Sequence, residues 1–166
     1  MYMKRFRISA RVLSLALVIL LVAMTAMPAL AASKKNPGGA YVVTTSKKDR
    51  LRVHSSPGGS VEGYLKRGTV VVYKSAKNGW WKVSFRGGSG YVYRSGLTSV
   101  AKLPKAKYTA TKDNVRVRLE PKTGAAVIGK IKSGTKVKIV KQKKSWVCVS
   151  YKGHKGWVGA IYLRRI

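Results

Sequence analysis

The apolar residues of this chain recur with period two. In GTKVKIV, residues 134–140, Val137 and Ile139 alternate with Lys136 and Lys138, the pattern of a strand with one face buried and one in water. The stretch WWKVSF (80–85) divides the same way: Trp81, Val83 and Phe85 form one row, Trp80, Lys82 and Ser84 the other. WVCVSY (146–151) repeats the division, with Val147, Val149 and Tyr151 against Trp146, Cys148 and Ser150. The wholly apolar or aromatic rows are expected inside and the mixed rows outside. Turn residues fall about every eight to twelve positions and no segment has a convincing helical period, so the expected fold class is all-β.

The two stretches agree because the chain is a repeat. Residues 63–97 and 129–163 match at a constant offset of 66: Gly63 with Gly129, Leu65 with Ile131, Gly68-Thr69 with Gly134-Thr135, Trp80 with Trp146. The match continues through Val83 with Val149, Gly87 with Gly153, Gly90 with Gly156, Tyr91 with Trp157 and Leu97 with Leu163. Upstream, LRVHSSP (51–57) matches VRVRLEP (115–121) at an offset of 64, so the following loop is two residues longer in the second copy. The expected units are residues 41–99 and 108–166, joined by a short basic linker, VAKLPKAK (100–107), stiffened by Pro104. Units this small, made of about five short strands, bury a core mainly by closing into a barrel. The copies differ at one telling place. Val70 and Val72 stand where the second copy has Lys136 and Lys138, either as a contact patch for the second copy or another chain, or as isolated surface valines.

Ahead of the repeats, Lys4, Arg5, Arg7 and Arg11 precede an apolar run from Val12 to about Met24, followed by Pro28 and Ala29-Leu30-Ala31. This reads as a secretory signal peptide over residues 1–31; a retained anchor fits less well because the run is short for a span. Removing 31 of 166 residues leaves 135, too few to hide a large enzyme domain. The cut takes four of 35 basic side chains and none of the four acids, so the formal charge falls from +31 to +27. Such a charge calls for a polyanionic partner, or else serves as a solubilising surface. Export disfavours nucleic acid and points to the polyanions outside a bacterial cell: teichoic acids, anionic lipids and peptidoglycan carboxylates.

Catalytic chemistry is not assembled. Cys148, the single cysteine, sits in a strand where copy one has Lys82. It is expected to be a half-exposed thiol, available for an intermolecular disulfide but not placed as a nucleophile. His54 and His154 have no metal-ligand spacing with Cys148 or the acids. Asp49, Glu62, Asp113 and Glu120 fall in separate turns and loops, unsuited to a carboxylate pair. No enzyme activity, cofactor or metal is expected. His54 takes the place of Arg118, which suggests a shared cationic or hydrogen-bonding role.

The order [Leu/Val]-Arg-Val-[His/Arg]-x-x-Pro, Gly-x-[Leu/Ile]-x-x-Gly-Thr, Trp-x-x-Val, Gly-x-x-Gly-[Tyr/Trp]-Val and a closing Leu resembles the bacterial-type SH3 domain, twice over. The resemblance implies small barrels of five to seven strands in secreted or envelope proteins. It also implies a targeting role toward peptidoglycan peptides or other wall components, often beside a hydrolase domain that is lacking here.

Trp80 and Trp146 recur on the polar row, in a place similar to the first tryptophan of the eukaryotic SH3 pair. Each either stacks on a peptide, a sugar face or a lysine, or lies flat as a lid over the barrel end. Beside them are expected Tyr91 and Tyr93 in copy one, and Trp157 and Tyr162 in copy two. Tyr162 resembles the late groove tyrosine of SH3 folds, where copy one has Gly96, so the copies are expected to differ. Arg52, Arg116 and Arg118 either add charge to the groove or are solvated strand residues. The reading is an exported, non-catalytic module binding peptidoglycan peptides or anionic wall polymers, with avidity from two linked barrels. The alternatives are an envelope protein that pairs with other proteins and, behind it, a nucleic-acid-binding small barrel.

Overall fold

A computed structural model describes residues 38–45 and 50–166; the expected signal peptide lies outside them. The first seven strands are β1 (Ala40–Val43), β2 (Leu51–His54), β3 (Val61–Leu65), β4 (Val70–Lys77), β5 (Trp80–Phe85), β6 (Gly88–Tyr93) and β7 (Leu97–Ser99). The second seven are β8 (Lys107–Ala110), β9 (Val115–Arg118), β10 (Val127–Ile131), β11 (Lys136–Lys143), β12 (Trp146–Tyr151), β13 (His154–Gly159) and β14 (Leu163–Arg165). Each set forms one antiparallel sheet with the same order, β3-β2-β6-β5-β4-β1-β7 and β10-β9-β13-β12-β11-β8-β14. The fold is all-β, in two tandem small barrels, as the doubled pattern requires.

The hairpin that presents Trp80 is set by its turn. Asn78 and Gly79 lie between the paired residues Lys77 and Trp80 and have φ of +48° and +81°, the left-handed pair that two-residue hairpins favour. Alternation along β5 then sends Trp81 and Val83 inward, where they are 5% and 0% exposed. Trp81 meets Tyr41 and Tyr73 edge-on at 4.8 and 5.0 Å, and the Arg94 guanidinium lies 5.6 Å from its ring centre. In β12 the inward positions are Val147 and Val149, both buried, while Phe85 and Tyr151 are half-buried at the strand ends. The outward Trp80 and Trp146 are half-buried.

Cys148 departs from its expected exposure: it is buried. Its cross-strand neighbours are Lys141 and Trp157, and the Lys141 ammonium lies 5.4 Å from the centre of the Trp157 ring. A short thiol between two long side chains that reach over it is sheltered, whereas Lys82, at the same place in copy one, extends past its neighbours to solvent.

The barrels are docked on each other. Val71 belongs to the first barrel's own core with Val43, Leu51, Val53, Leu65, Trp81, Val83 and Val92. Its neighbours Val70 and Val72 point the other way, and with Ala40, Val42 and Val100 they join a cluster continuous with the second barrel's core. The start of β4, Val70 to Val72, is thus buried on both faces, the usual reason for an unbroken apolar run. Backbone contacts reinforce the junction: Thr69 bridges to Arg164, the Arg165 amide donates to the Gly68 carbonyl at 2.9 Å, and Arg86 Nη1 donates to the Thr111 carbonyl at 2.8 Å. Gly68 has φ +87°, and a Cβ there would run into the Arg165 carbonyl oxygen. The stretch expected as a linker is built into this junction, with Val100 buried in a 3-10 turn (Val100–Lys102) and Leu103 and Ala106 packed on the shared cluster. On the equivalent face of the second barrel, Lys136 and Lys138 are exposed, which opposes docking of a further copy in the same manner.

Tyr108, which pairs with Val137 as Tyr41 pairs with Val71, is fully buried beside this junction and its hydroxyl has no hydrogen-bond partner. Burial raises its phenol pKa above the ordinary 10.0, against a smaller opposing effect of Arg165. Because the folded value is the higher one, the unfolded chain loses this proton first: the contribution is complete below pH 10 and is lost as pH rises from there through the raised folded value. Tyr108→Phe removes the buried unpaired hydroxyl and is expected to stabilise by about 1 kcal/mol at neutral pH. It should also flatten part of the alkaline loss. Urea unfolding of both proteins at pH 7 and above pH 10 reads both effects, and a destabilised variant at pH 7 contradicts the assignment.

Candidate functional site

Each barrel carries one outward tryptophan, and the two have different surroundings. In the first barrel Trp80 is held between two rings, His54 at 4.7 Å and Tyr93 at 4.5 Å between centres, both inclined edge to face. Tyr93 is the cross-strand partner of Trp80 and is 54% exposed. His54 Nδ1 donates to the Gly59 carbonyl at 2.7 Å, since only the ring can supply the proton; the bond orients the imidazole and closes the β2–β3 loop. At the matching place in the second barrel, Arg118 Nη1 donates to the Ala125 carbonyl at 2.6 Å. The shared role of His54 and Arg118 is therefore a clamp across the loop, reaching five residues in copy one and seven in copy two, which is the two-residue insertion. Arg118 is 8% exposed, so it is no solvated strand residue.

In the second barrel Trp146 pairs across the strands with Gly159, not with an aromatic residue. The tyrosine comes from elsewhere: a Cβ on Gly159 would lie 3.2 Å from the ring of Tyr162, which stands where copy one has Gly96. Copy one thus combines Tyr93 with Gly96 and copy two Gly159 with Tyr162. Each barrel sets one tyrosine by its tryptophan, supplied from different chain positions.

Docking makes the second site a cleft of about 760 Å³ between the barrels. Its far wall is the outer face of the first barrel, through Val72, Lys74 and Ser84; its near wall includes Trp146, Tyr162 and Ile161. Lys112, Arg116, Arg118 and Lys130 also line it, so with Lys74 five cations face the cleft and no carboxylate does. The Lys112 ammonium sits 4.5 Å from the centre of the Tyr162 ring. The two acids of the second barrel are engaged elsewhere. Asp113 accepts the Ser133 amide at 2.9 Å, and Glu120 pairs with Lys122 at 2.7 Å, a hydrogen bond that lowers the Glu120 carboxyl pKa. The cleft is therefore an aromatic wall inside an uncompensated positive field, suited to an anionic ligand with a flat or apolar part.

Not all expected site residues are gathered. Tyr91 and Trp157 lie two cross-strand pairs beyond the tryptophans, opposite Lys82 and Cys148. Each ring is covered by a lysine, Lys82 at 5.7 Å and Lys141 at 5.4 Å, and neither lines the cleft. Arg52 is exposed on β2 opposite Tyr64, whereas its equivalent Arg116 faces the other barrel. Lys74, Lys112 and Lys130 were not singled out in the sequence, because only docking brings Lys74 to the second barrel. The available signal was the pair Val70 and Val72. Among the described residues no group of three or more His, Cys, Asp and Glu side chains could hold a metal ion, and no helix is long and apolar enough to cross a membrane.

The family model described as bacterial SH3 domain matches residues 49–98 and 113–164. A curated relative, "Putative N-acetylmuramoyl-L-alanine amidase YrvJ" of Bacillus subtilis, is 29% identical over 147 residues, covering 80% of this chain and 28% of the relative. The chain thus spans under a third of that relative's length. Two solved structures, NlpC1 and NlpC2 from Trichomonas vaginalis, each align at 14% identity with a TM-score of 0.38. They cover 79% and 78% of this chain and 47% and 48% of their own.

Proposed function

Because this chain belongs to the bacterial SH3 domain family, in two tandem copies, we propose that it is an exported, non-catalytic module that binds the bacterial cell envelope. The ligands are peptidoglycan peptides, anionic wall polymers, or both. The observation that carries the reading is the second barrel's cleft, where Trp146 and Tyr162 stand among five cations without a carboxylate. N-acetylmuramoyl-L-alanine, named in the B. subtilis relative, is a peptidoglycan linkage, and the similarity to that protein supports a wall ligand. Docking changes how the tandem arrangement works: the barrels share a cluster of buried residues, so they present sites in fixed relation rather than as two tethered heads.

The test is co-sedimentation of the protein with purified sacculi, comparing wild type with Trp80→Ala/Trp146→Ala. Each exposed ring that stacks on ligand is worth about 1 kcal/mol or more, so the double variant is expected to bind at least about tenfold more weakly. Equal retention of the two proteins would refute the aromatic sites. An envelope protein partner is favoured instead if retention requires sacculi that still carry their proteins.

A further inference from the structure

The geometry points to the cleft between the barrels as the site for a short stretch of a linear polyanion, built jointly by both barrels. Its repeated anionic groups lie against Lys74, Lys112, Arg116 and Lys130, and the uncharged segments between them against Trp146 and Tyr162. The inference rests on the envelope-binding reading and narrows it to one class of ligand. A wall peptide brings one or two carboxylates, which leaves most of the positive charge in this cleft unmatched. A polymer with an anion every few bonds matches it along its length, with each contact releasing a counterion. The composite wall is the second reason. Lys74 belongs to the first barrel, so the site exists only while the barrels are docked, and the buried Val70 and Val72 hold them so. The first barrel's tryptophan is instead flanked by His54 and Tyr93 of its own barrel and does not line this cleft.

The shared ligand chemistry is a closely spaced row of phosphodiesters or carboxylates. The experiment measures anisotropy of a labelled poly(glycerol phosphate) chain titrated with the full protein, with unlabelled poly(glycerol phosphate), poly-glutamate and single-stranded DNA as competitors. Lys74→Glu, on an exposed residue, is expected to weaken binding about tenfold. Lys155→Glu makes the same charge change in a neighbouring recess of the second barrel, which shares only Lys130 with the cleft, and is expected to weaken it less than about twofold. Competition by poly(glycerol phosphate) or by poly-glutamate supports the site and tells the phosphate source from the carboxylate source. Equal weakening by the two substitutions overturns it in favour of diffuse charge, and tighter competition by DNA overturns it in favour of a nucleic-acid surface. The outcomes separate from those of the broader reading: sacculi binding that is indifferent to Lys74→Glu removes the cleft alone, while polymer binding without sacculi binding removes the envelope.

Discussion

Trp81→Ala is expected to cost the first barrel about 3–5 kcal/mol, the range for removing a buried large aromatic. A small domain has only about 5–15 kcal/mol in all. Trp81 is 5% exposed, wedged edge-on between Tyr41 and Tyr73, and capped by Arg94. Replacing it leaves a cavity bounded by rings that cannot easily collapse. The neighbouring Trp80→Ala is expected to cost no more than about 1.5 kcal/mol, because that ring is half-buried and its contacts are with two other surface rings. Urea unfolding of the two variants side by side separates them. Equal losses would mean that Trp80 is a lid on the barrel and not a binding ring.

The second large effect is expected at the junction. Val70→Lys installs the residue that the second copy carries at this place, Lys136. In the second barrel that lysine is exposed; in the first it would enter the cluster that joins the barrels. Losing the buried valine and desolvating an ammonium together are expected to cost roughly 3 kcal/mol. Because the loss falls on the contact between barrels, wild type should unfold in one cooperative transition and the variant in two, as calorimetry would report. Lys136→Val, the reverse exchange on an open face, should stay within about 0.5 kcal/mol. A Val70→Lys protein that keeps wild-type cooperativity would show that the barrels do not depend on each other.

The two mutations mark what was legible in the sequence. Period-two alternation and the doubled motif order are local properties, and they were enough for the strands, the tandem barrels and the separation of Trp81 from Trp80. Val147 in place of Trp81 marks a position that serves packing alone, and Trp146 in place of Trp80 one where the ring itself recurs. Docking was only hinted at: two valines in place of two lysines show that a face is dry, but not against what. The cation-lined cleft depends on that docking, so Lys74 had no visible connection to Trp146. Cys148 is buried although the residue it replaces, Lys82, is exposed. Exposure depends on the neighbours' reach as well as on the facing of the strand: Cys148 lies between the long Lys141 and Trp157, Lys82 between Tyr91 and the short Ser75. The tyrosines beside the two tryptophans come from different positions, a compensation that residue-by-residue alignment reads as loss.

The most direct test of the central claim is retention of the wild-type protein on purified sacculi, before and after removal of their covalently attached anionic polymer, at low and at high salt. Binding to both preparations at low salt is expected, tighter to those that keep the polymer. Only the polymer-dependent part should fall steeply as salt rises, because charges outside the docked surfaces are screened. A protein that passes through both preparations at low salt, or one that binds both equally at every salt concentration, contradicts the account.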